Sequence, residues 1–212
     1  MVIQRYGSYF TKLQVGDQVV GINPPSKDSQ LKQSRFGSDV ALQSVYHPDF
    51  NGIDQLEHKS RECYAIRGPG EYEIADIFVH SFPSVTRYDG VADQINTLHS
   101  ILFEGINVMY LGPISSTNIS EQAQEELYQA NVIFVPIGGD HVMGADEAFK
   151  FIKKFSPQIV IPIGYDEVKD KKELEAFASS FGERVQREDK LTIKKKDVEE
   201  ERMDLVILSE IK

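Results

Sequence analysis

Val40-Ala41-Leu42-Gln43-Ser44-Val45-Tyr46-His47-Pro48-Asp49-Phe50-Asn51 is the stretch on which the reading of this chain turns. The apolar start, Val40 to Leu42, has the pattern of a buried strand. The loop after it holds a histidine and an aspartate two residues apart. A strand that ends in a His-x-His-x-Asp-His loop gathers three imidazoles and a carboxylate around two adjacent metal ions. In that frame the loop here reads Val45-x-His47-x-Asp49-Phe50. His47 and Asp49 keep their donors, whereas the other two positions hold a valine and a phenylalanine, which have none.

On both sides of this loop the first half of the chain reads as short strands. Candidates are Val2–Gln4, Tyr9–Leu13, Gln18–Ile22, Cys63–Arg67, Glu71–Ile74, Ile77–Phe82, Leu98–Glu104 and Asn107–Leu111, punctuated by Gly, Asn and Pro. The polar stretch Pro24 to Ser38 is a surface loop long enough to be functional or mobile, and it reads either as an excursion without a partner or as a binding loop. Residues 51–61 fit one short helix. The second half alternates helix and strand. Ser120 is a good N-cap for a helix through Tyr128, Ala145–Phe155 places Ala148, Phe149 and Ile152 on one face, and Lys171–Phe181 places Leu174, Phe177 and Phe181 on another. Val132–Val135 and Ile159–Pro162 are continuous apolar runs, as strands covered on both faces require. Leu191–Ile193 and Leu205–Leu208 close the chain, and the Lys194-Lys195-Lys196 run with the acids after it reads as a charged hairpin turn between them. No linker or internal repeat divides the chain, so one domain over residues 1–212 is expected.

Further stretches, in this order, carry a resemblance: Arg5-Tyr6-Gly7, Gly68-Pro69-Gly70-Glu71-Tyr72-Glu73-Ile74, Asn96-Thr97, Tyr110-Leu111-Gly112, Pro136-Ile137-Gly138-Gly139, Ala145-x-Glu147-Ala148 and Ile159 to Tyr165. With the loop around His47, the chain resembles the metallo-β-lactamase-fold hydrolases, in particular their small branch of Zn-dependent hydrolases. The resemblance implies a four-layer αββα sandwich, α/β in class, with two mixed sheets face to face and helices outside. It also implies a ligand set, and residue by residue this chain departs from it. Ser8 stands where the family has a histidine after Tyr-Gly, and Asn23-Pro24 where it has Asp-Pro. Of seven implied metal ligands, His47 and Asp49 remain. The other five positions are Val45, Phe50, Thr86, Pro113, in place of the bridging aspartate, and Gly164, in place of the final histidine.

Composition narrows the function classes. A formal net charge of −10 argues against a broad phosphate-binding surface, and the one basic cluster is answered at once by acids, so nucleic acid is not expected as a partner. No apolar run approaches the roughly 20 residues of a membrane span, and no basic segment followed by an apolar core opens the chain. The single cysteine, Cys63, excludes an internal disulfide and fits a reducing compartment, which makes the cytoplasm the expected location. Gly68-Pro69-Gly70 leads into a strand and so lacks the helix N-terminus of a phosphate cradle, and no Gly-x-Ser-x-Gly elbow is present.

Two readings remain. In the first, the fold is kept, no catalytic or metal-binding residue and no cofactor is expected, and the protein acts as a structural, partner-binding or ligand-sensing module, with a protein partner or a second copy of itself. In the second, His47 and Asp49 combine with Asp140 and His141 around one zinc or manganese ion, in a rebuilt hydrolase site for phosphodiester or ester bonds. His58, His80 and His99 carry no role in either. The space left by the missing ligands is expected to close, with Val45, Phe50 and Pro113 packed together.

Overall fold

The computed structural model describes residues 1–57, 62–139, 141–165, 169–200 and 202–211. In chain order the strands are β1 (Val2–Arg5), β2 (Thr11–Val15), β3 (Gln18–Ile22), β4 (Val40–Leu42), β5 (Tyr64–Ile66), β6 (Gly70–Ile74), β7 (Ile77–Thr86), β8 (Gln94–Phe103), β9 (Ile106–Tyr110), β10 (Val132–Pro136), β11 (Ile159–Ile163), β12 (Val185–Glu188), β13 (Leu191–Thr192) and β14 (Asp204–Leu208). The helices are α1 (Glu121–Gln129), α2 (Ala145–Ile152) and α3 (Lys171–Ser179). A 6-stranded sheet has the order β13-β1-β2-β3-β4-β5, and an 8-stranded sheet the order β12-β14-β11-β10-β9-β8-β7-β6. Both are mixed: β3, β4 and β5 run parallel in the first, and β9, β10, β11, β14 and β12 in the second, the remaining pairs being antiparallel.

Face to face, the sheets enclose the main core. Alternate residues of the smaller sheet, Leu13, Val20, Ile22, Val40 and Leu42, meet Ile101, Val108, Phe134, Ile161 and Ile163 of the larger one. The outer face of the larger sheet is covered by the apolar stripes of the helices, including Ala123 and Leu127 of α1, Ala148, Phe151 and Ile152 of α2, and Leu174 and Phe177 of α3. That double cover is why β10 and β11 are buried at every position and read as unbroken apolar runs. The layer outside the smaller sheet is thinner. It holds the 3₁₀ turn Ile53–Gln55 and the loop through Phe36, which pack Ile53, Leu56 and Phe36 against Phe10 and Ala41. The architecture is thus the expected αββα sandwich with unequal outer layers. Among the described residues no helix is long and apolar enough to cross a membrane.

Four local readings change. The basic-acidic run after Leu191 is not a hairpin turn. β13 pairs with β1 in the smaller sheet, whereas β14 lies between β11 and β12 in the larger one, so the 3₁₀ turn Lys195–Val198 carries the chain between sheets. Buried Val198 packs into the main core and draws the turn across. β7 and β8 run several residues beyond their apolar segments because the extension is held by polar pairing, with Asn96 Nδ2 donating to Ser84 Oγ at 2.8 Å. β12 has little apolar pattern to find, since three of its four residues are exposed. Where one helix fitted residues 51–61, the described residues 51–57 hold only the 3₁₀ turn Ile53–Gln55, and His58 lies outside the described residues.

One buried polar group ties the sheets together. His99 on β8 is fully buried, with Ser81 Oγ 2.8 Å from its Nδ1 and the Gln43 carbonyl of the smaller sheet's loop 3.3 Å from its Nε2. Burial drives its pKa from 6.5 down to about 4, against a smaller upward pull from the Gln43 carbonyl. Between those values the unfolded chain binds a proton that the folded chain refuses. The stability is therefore fully present above pH 6.5 and is lost as the pH falls towards 4, by roughly 3 kcal/mol from this group. Urea unfolding across that window should show the loss in the wild type and a flatter profile in His99→Gln; parallel profiles would contradict the assignment.

Candidate functional site

The end of the sandwich at which β4 opens into the His47 loop is fixed by side chains that read the backbone. Asn23, just past β3, adopts a positive φ of 55° and is fully buried. Its Oδ1 accepts the Ser44 N–H at 2.7 Å and its Nδ2 donates to Ser44 Oγ at 3.0 Å. On the other side the Ser44 carbonyl accepts the Thr97 N–H of β8 at 2.8 Å. The loop is thus strung between the two sheets. Gly112 closes behind it: at φ +59°, an added Cβ would lie 2.6 Å from Asn96 Oδ1 and 2.9 Å from Ser44.

From this frame the loop turns inward. Val45 and Phe50 are both buried in the main core. Phe50 meets the ring of Tyr9, with centroids 5.1 Å apart, and that of Tyr88 at 4.7 Å, edge to face. Tyr88 also stands edge-on to Tyr9 at 5.9 Å and to His47 at 5.3 Å. Tyr9 reaches the end of β11, where a Cβ on Gly164 would fall 2.2 Å from its hydroxyl oxygen. Gly164 has φ +69°, and its N–H donates to the Ser8 carbonyl at 2.8 Å. Tyr110 anchors the same turn by donating its hydroxyl to the Tyr9 carbonyl. Buried Thr86 donates to the carbonyl of buried Pro113 and accepts the Tyr88 N–H at 3.0 Å. The seven positions singled out by resemblance therefore lie around one aromatic cluster of Tyr9, Phe50 and Tyr88. Pro113 joins it through Thr86, which also accepts the Tyr88 N–H.

The remaining polar groups are committed to one another. Asp49 Oδ1 accepts from Ser29 Oγ, and its Oδ2 accepts the Tyr88 hydroxyl at 2.8 Å. Burial, then the bond to Asp49, raises the Tyr88 pKa far above the usual phenol value, so the phenol stays protonated and donating. Tyr9 is likewise raised, first by burial and then by Tyr88, Tyr110 and Asp170. His47 Nδ1 accepts the Asp49 N–H at 3.2 Å, while Nε2 faces the exposed Asp89 carboxylate at 3.7 Å. Ser29 belongs to the loop from Pro24 to Ser38, which is docked, not a free excursion. Further contacts hold it: Ser26 N–H to the Pro48 carbonyl at 2.8 Å, Arg35 Nε to Gln55 Oε1 at 2.7 Å, and Phe36 stacked on Phe10 at 5.3 Å.

His141 lies beside the 3₁₀ turn Tyr88–Gly90. It is exposed, with its ring against Gly90, and its carbonyl accepts from Ser115. Asp140 falls outside the described residues. Among the described residues no three His, Cys, Asp or Glu side chains are grouped to hold a metal ion. His47 and Asp49 alone are too few for one. Both Asp49 oxygens and the His47 Nδ1 are taken by hydrogen bonds, and carbon-bearing rings fill the space between Gly164 and the loop. A catalytic zinc needs three protein ligands and an open position for water. Burial above all lifts the Cys63 pKa to about 11, which keeps the thiol protonated near neutral pH. Sequence reading missed Tyr9, Tyr88, Ser29 and Asp89, which complete this arrangement. The one signal for Tyr9 was its place next to Ser8.

Comparison with known proteins agrees with the fold. The beta-lactamase superfamily domain family matches residues 3–164. A protein assigned as a Zn-dependent hydrolase of the metallo-β-lactamase superfamily, from Thermotoga maritima, superposes with a TM-score of 0.77 at 20% identity, covering 98% of this chain and 99% of that one. A protein assigned as a metal-dependent hydrolase, from Parabacteroides distasonis, gives 0.65 at 16% identity, covering 99% and 93%. The metallo-β-lactamase fold protein YhfI from Bacillus subtilis gives 0.61 at 11% identity, covering 99% and 95%. At these identities the likeness speaks for the fold.

The ring cluster makes two substitutions informative. Gly164→Ala combines a left-handed backbone with a collision at the Tyr9 hydroxyl and should cost roughly 2–4 kcal/mol. Phe50→Ala should cost roughly 3–5 kcal/mol, as in a close-packed core. Chemical denaturation measures both. A Phe50→Ala variant as stable as the wild type would mean that the ring does not fill a packed interior.

Proposed function

The chain belongs to the beta-lactamase superfamily domain family, and from that premise we propose that it has given up metal-dependent hydrolysis and acts through contacts, as a structural, partner-binding or ligand-sensing module. The observation that carries this reading is the burial of Phe50 and Tyr9 at the point where implied ligand positions Phe50 and Gly164 meet. Metal-dependent hydrolysis needs an activated water and a Lewis acid beside the scissile bond. Pro113, at the position implied for the bridging aspartate, has no side-chain oxygen, and its carbonyl accepts from Thr86. The two surviving donors serve a different purpose. Asp49 clasps Ser29 and Tyr88, so the remnant of the metal loop now fastens the surface loop over the sandwich end.

On this reading no zinc or manganese is required, the partner is a protein or a second copy, and the free Cys63 fits the cytoplasm. The net charge of −10 makes nucleic acid the wrong partner. The rival is a single-metal hydrolase drawing on His47, Asp49, Asp140 and His141, and one experiment separates the two. Protein purified without a histidine tag should carry far less than one equivalent of zinc, manganese or iron by elemental analysis. The substitution Asp49→Ala should loosen the loop around Ser29, seen as faster proteolysis between Pro24 and Ser38, with no loss of metal. A stoichiometric metal that disappears in His47→Ala would overturn the proposal.

A further inference from the structure

The helices leave part of the larger sheet bare. α1 lies over β8 and β9, packing Ala123 and Leu127 against Leu98 and Met109, and α2 and α3 continue the cover towards β14. Over the outer face of β6, β7 and the adjoining part of β8 there is no described helix. Strand register lays two rows of side chains across this face. Glu71, His80 and Ser100 are cross-strand partners in one row; two residues along, Glu73, Phe78, Leu102 and Asn107 form the other. Phe78 and Leu102 are 43% and 39% exposed, an adjacent apolar pair on a face whose neighbours lie under helices. With Glu126 and Gln129 of α1 as one flank, these residues other than Glu73 line a trough of about 330 Å³.

The trough is acidic and its acids are held in place. Ser100 Oγ donates to Glu126 Oε2 at 2.6 Å, His80 Nδ1 lies 3.2 Å from Glu126 Oε1, and His80 Nε2 lies 3.6 Å from Glu71 Oε1. The His80 ring is itself braced against Phe82, with centroids 4.1 Å apart. No lysine or arginine is among the lining residues. An apolar pair flanked by carboxylates is the complement of a segment with an apolar stripe flanked by Lys or Arg. Its dimensions suit a helix. β6 to β8 span about 10 Å at the usual strand spacing, one helix diameter. An added strand on the β6 edge would lie beside the sheet and leave Phe78 and Leu102 uncovered. A second copy would bring another net charge of −10 to an acidic face.

We infer that the bare face of β6–β8 docks a basic amphipathic helix of a partner protein, which takes the vacant place beside α1 in the outer layer. This rests on the reading that the protein acts through contacts, and it names the surface and the chemistry of the partner. Metal analysis tests that reading, whereas peptide binding tests the surface alone.

The probe is a capped synthetic peptide of about 14 residues, near the length at which an isolated helix becomes marginally stable, with Leu at positions i, i+3, i+4 and i+7 and Lys beside them. A scrambled peptide of the same composition is its control. Calorimetry at about 0.15 M salt keeps diffuse attraction screened. The amphipathic peptide should bind with micromolar affinity, at least about tenfold more tightly than the scrambled one. Leu102→Ser, and independently the exposed-site change Glu71→Gln, should each weaken it several-fold, and together by about tenfold or more. Glu175→Gln on α3 should leave the affinity unchanged. Absence of binding, equal binding of the scrambled peptide, equal loss in Glu175→Gln, or full binding to Leu102→Ser and Glu71→Gln would each overturn the inference. So would a stable wild-type dimer that Leu102→Ser dissolves.

Discussion

The contact between the Tyr9 phenol and Gly164 is the one on which the rest of the site depends. It brings the turn between β1 and β2, in the smaller sheet, against the end of β11, in the larger. Only a residue without a side chain leaves room for the ring, and only a glycine accepts the φ of +69° without strain. The neighbouring bonds act in the same direction: Gly164 N–H to the Ser8 carbonyl, and the Tyr110 hydroxyl to the Tyr9 carbonyl. Once Tyr9 is seated, Phe50 has a surface to pack on, and Tyr88 closes over both.

The same space serves opposite ends in different chemistries. A metal pair needs polar donors held apart around cations and a route for water. A core needs contiguous carbon and no unpaired polar atoms. On the proposed function, Val45, Phe50, Pro113 and Gly164 move this sandwich end from the first condition to the second, and the effects compound. A lone carboxylate left among rings would be costly, so Asp49 takes hydroxyl partners on both oxygens, Ser29 from one loop and Tyr88 from another. The surviving donor thereby becomes a clasp for the segment from Pro24 to Ser38.

How much of this was legible in the sequence depends on the kind of signal. β10 and β11 could be read because burial on both faces demands unbroken apolar runs. The ligand positions were implied by the resemblance alone, within which a valine or proline in a donor's place is a plain chemical mismatch. The ends of β7 and β8 were hidden, since Ser84 and Asn96 hold each other by polar bonds that look like loop residues in sequence. The run from Lys194 to Glu201 showed a turn but not that its two strands join different sheets, because charge pattern carries no information about distant pairing. Tyr9 and Tyr88 were missed for a related reason: each meets Phe50 across many residues of chain, and a tyrosine fits a strand, a surface or a core.

The two faces of the larger sheet are put to different uses. Inside, the sheet end is filled by the protein's own rings; outside, we propose, the strip over β6 to β8 takes a partner's helix. The central claim is that rings, not ions, occupy the sandwich end, and its most direct test is diffraction at the zinc absorption edge from crystals grown with excess zinc. The account predicts no anomalous peak among His47, Asp49 and the Gly164 turn, with the Phe50 and Tyr9 rings packed in that space. A peak bonded to His47 or Asp49, with Phe50 swung out towards solvent, would contradict it.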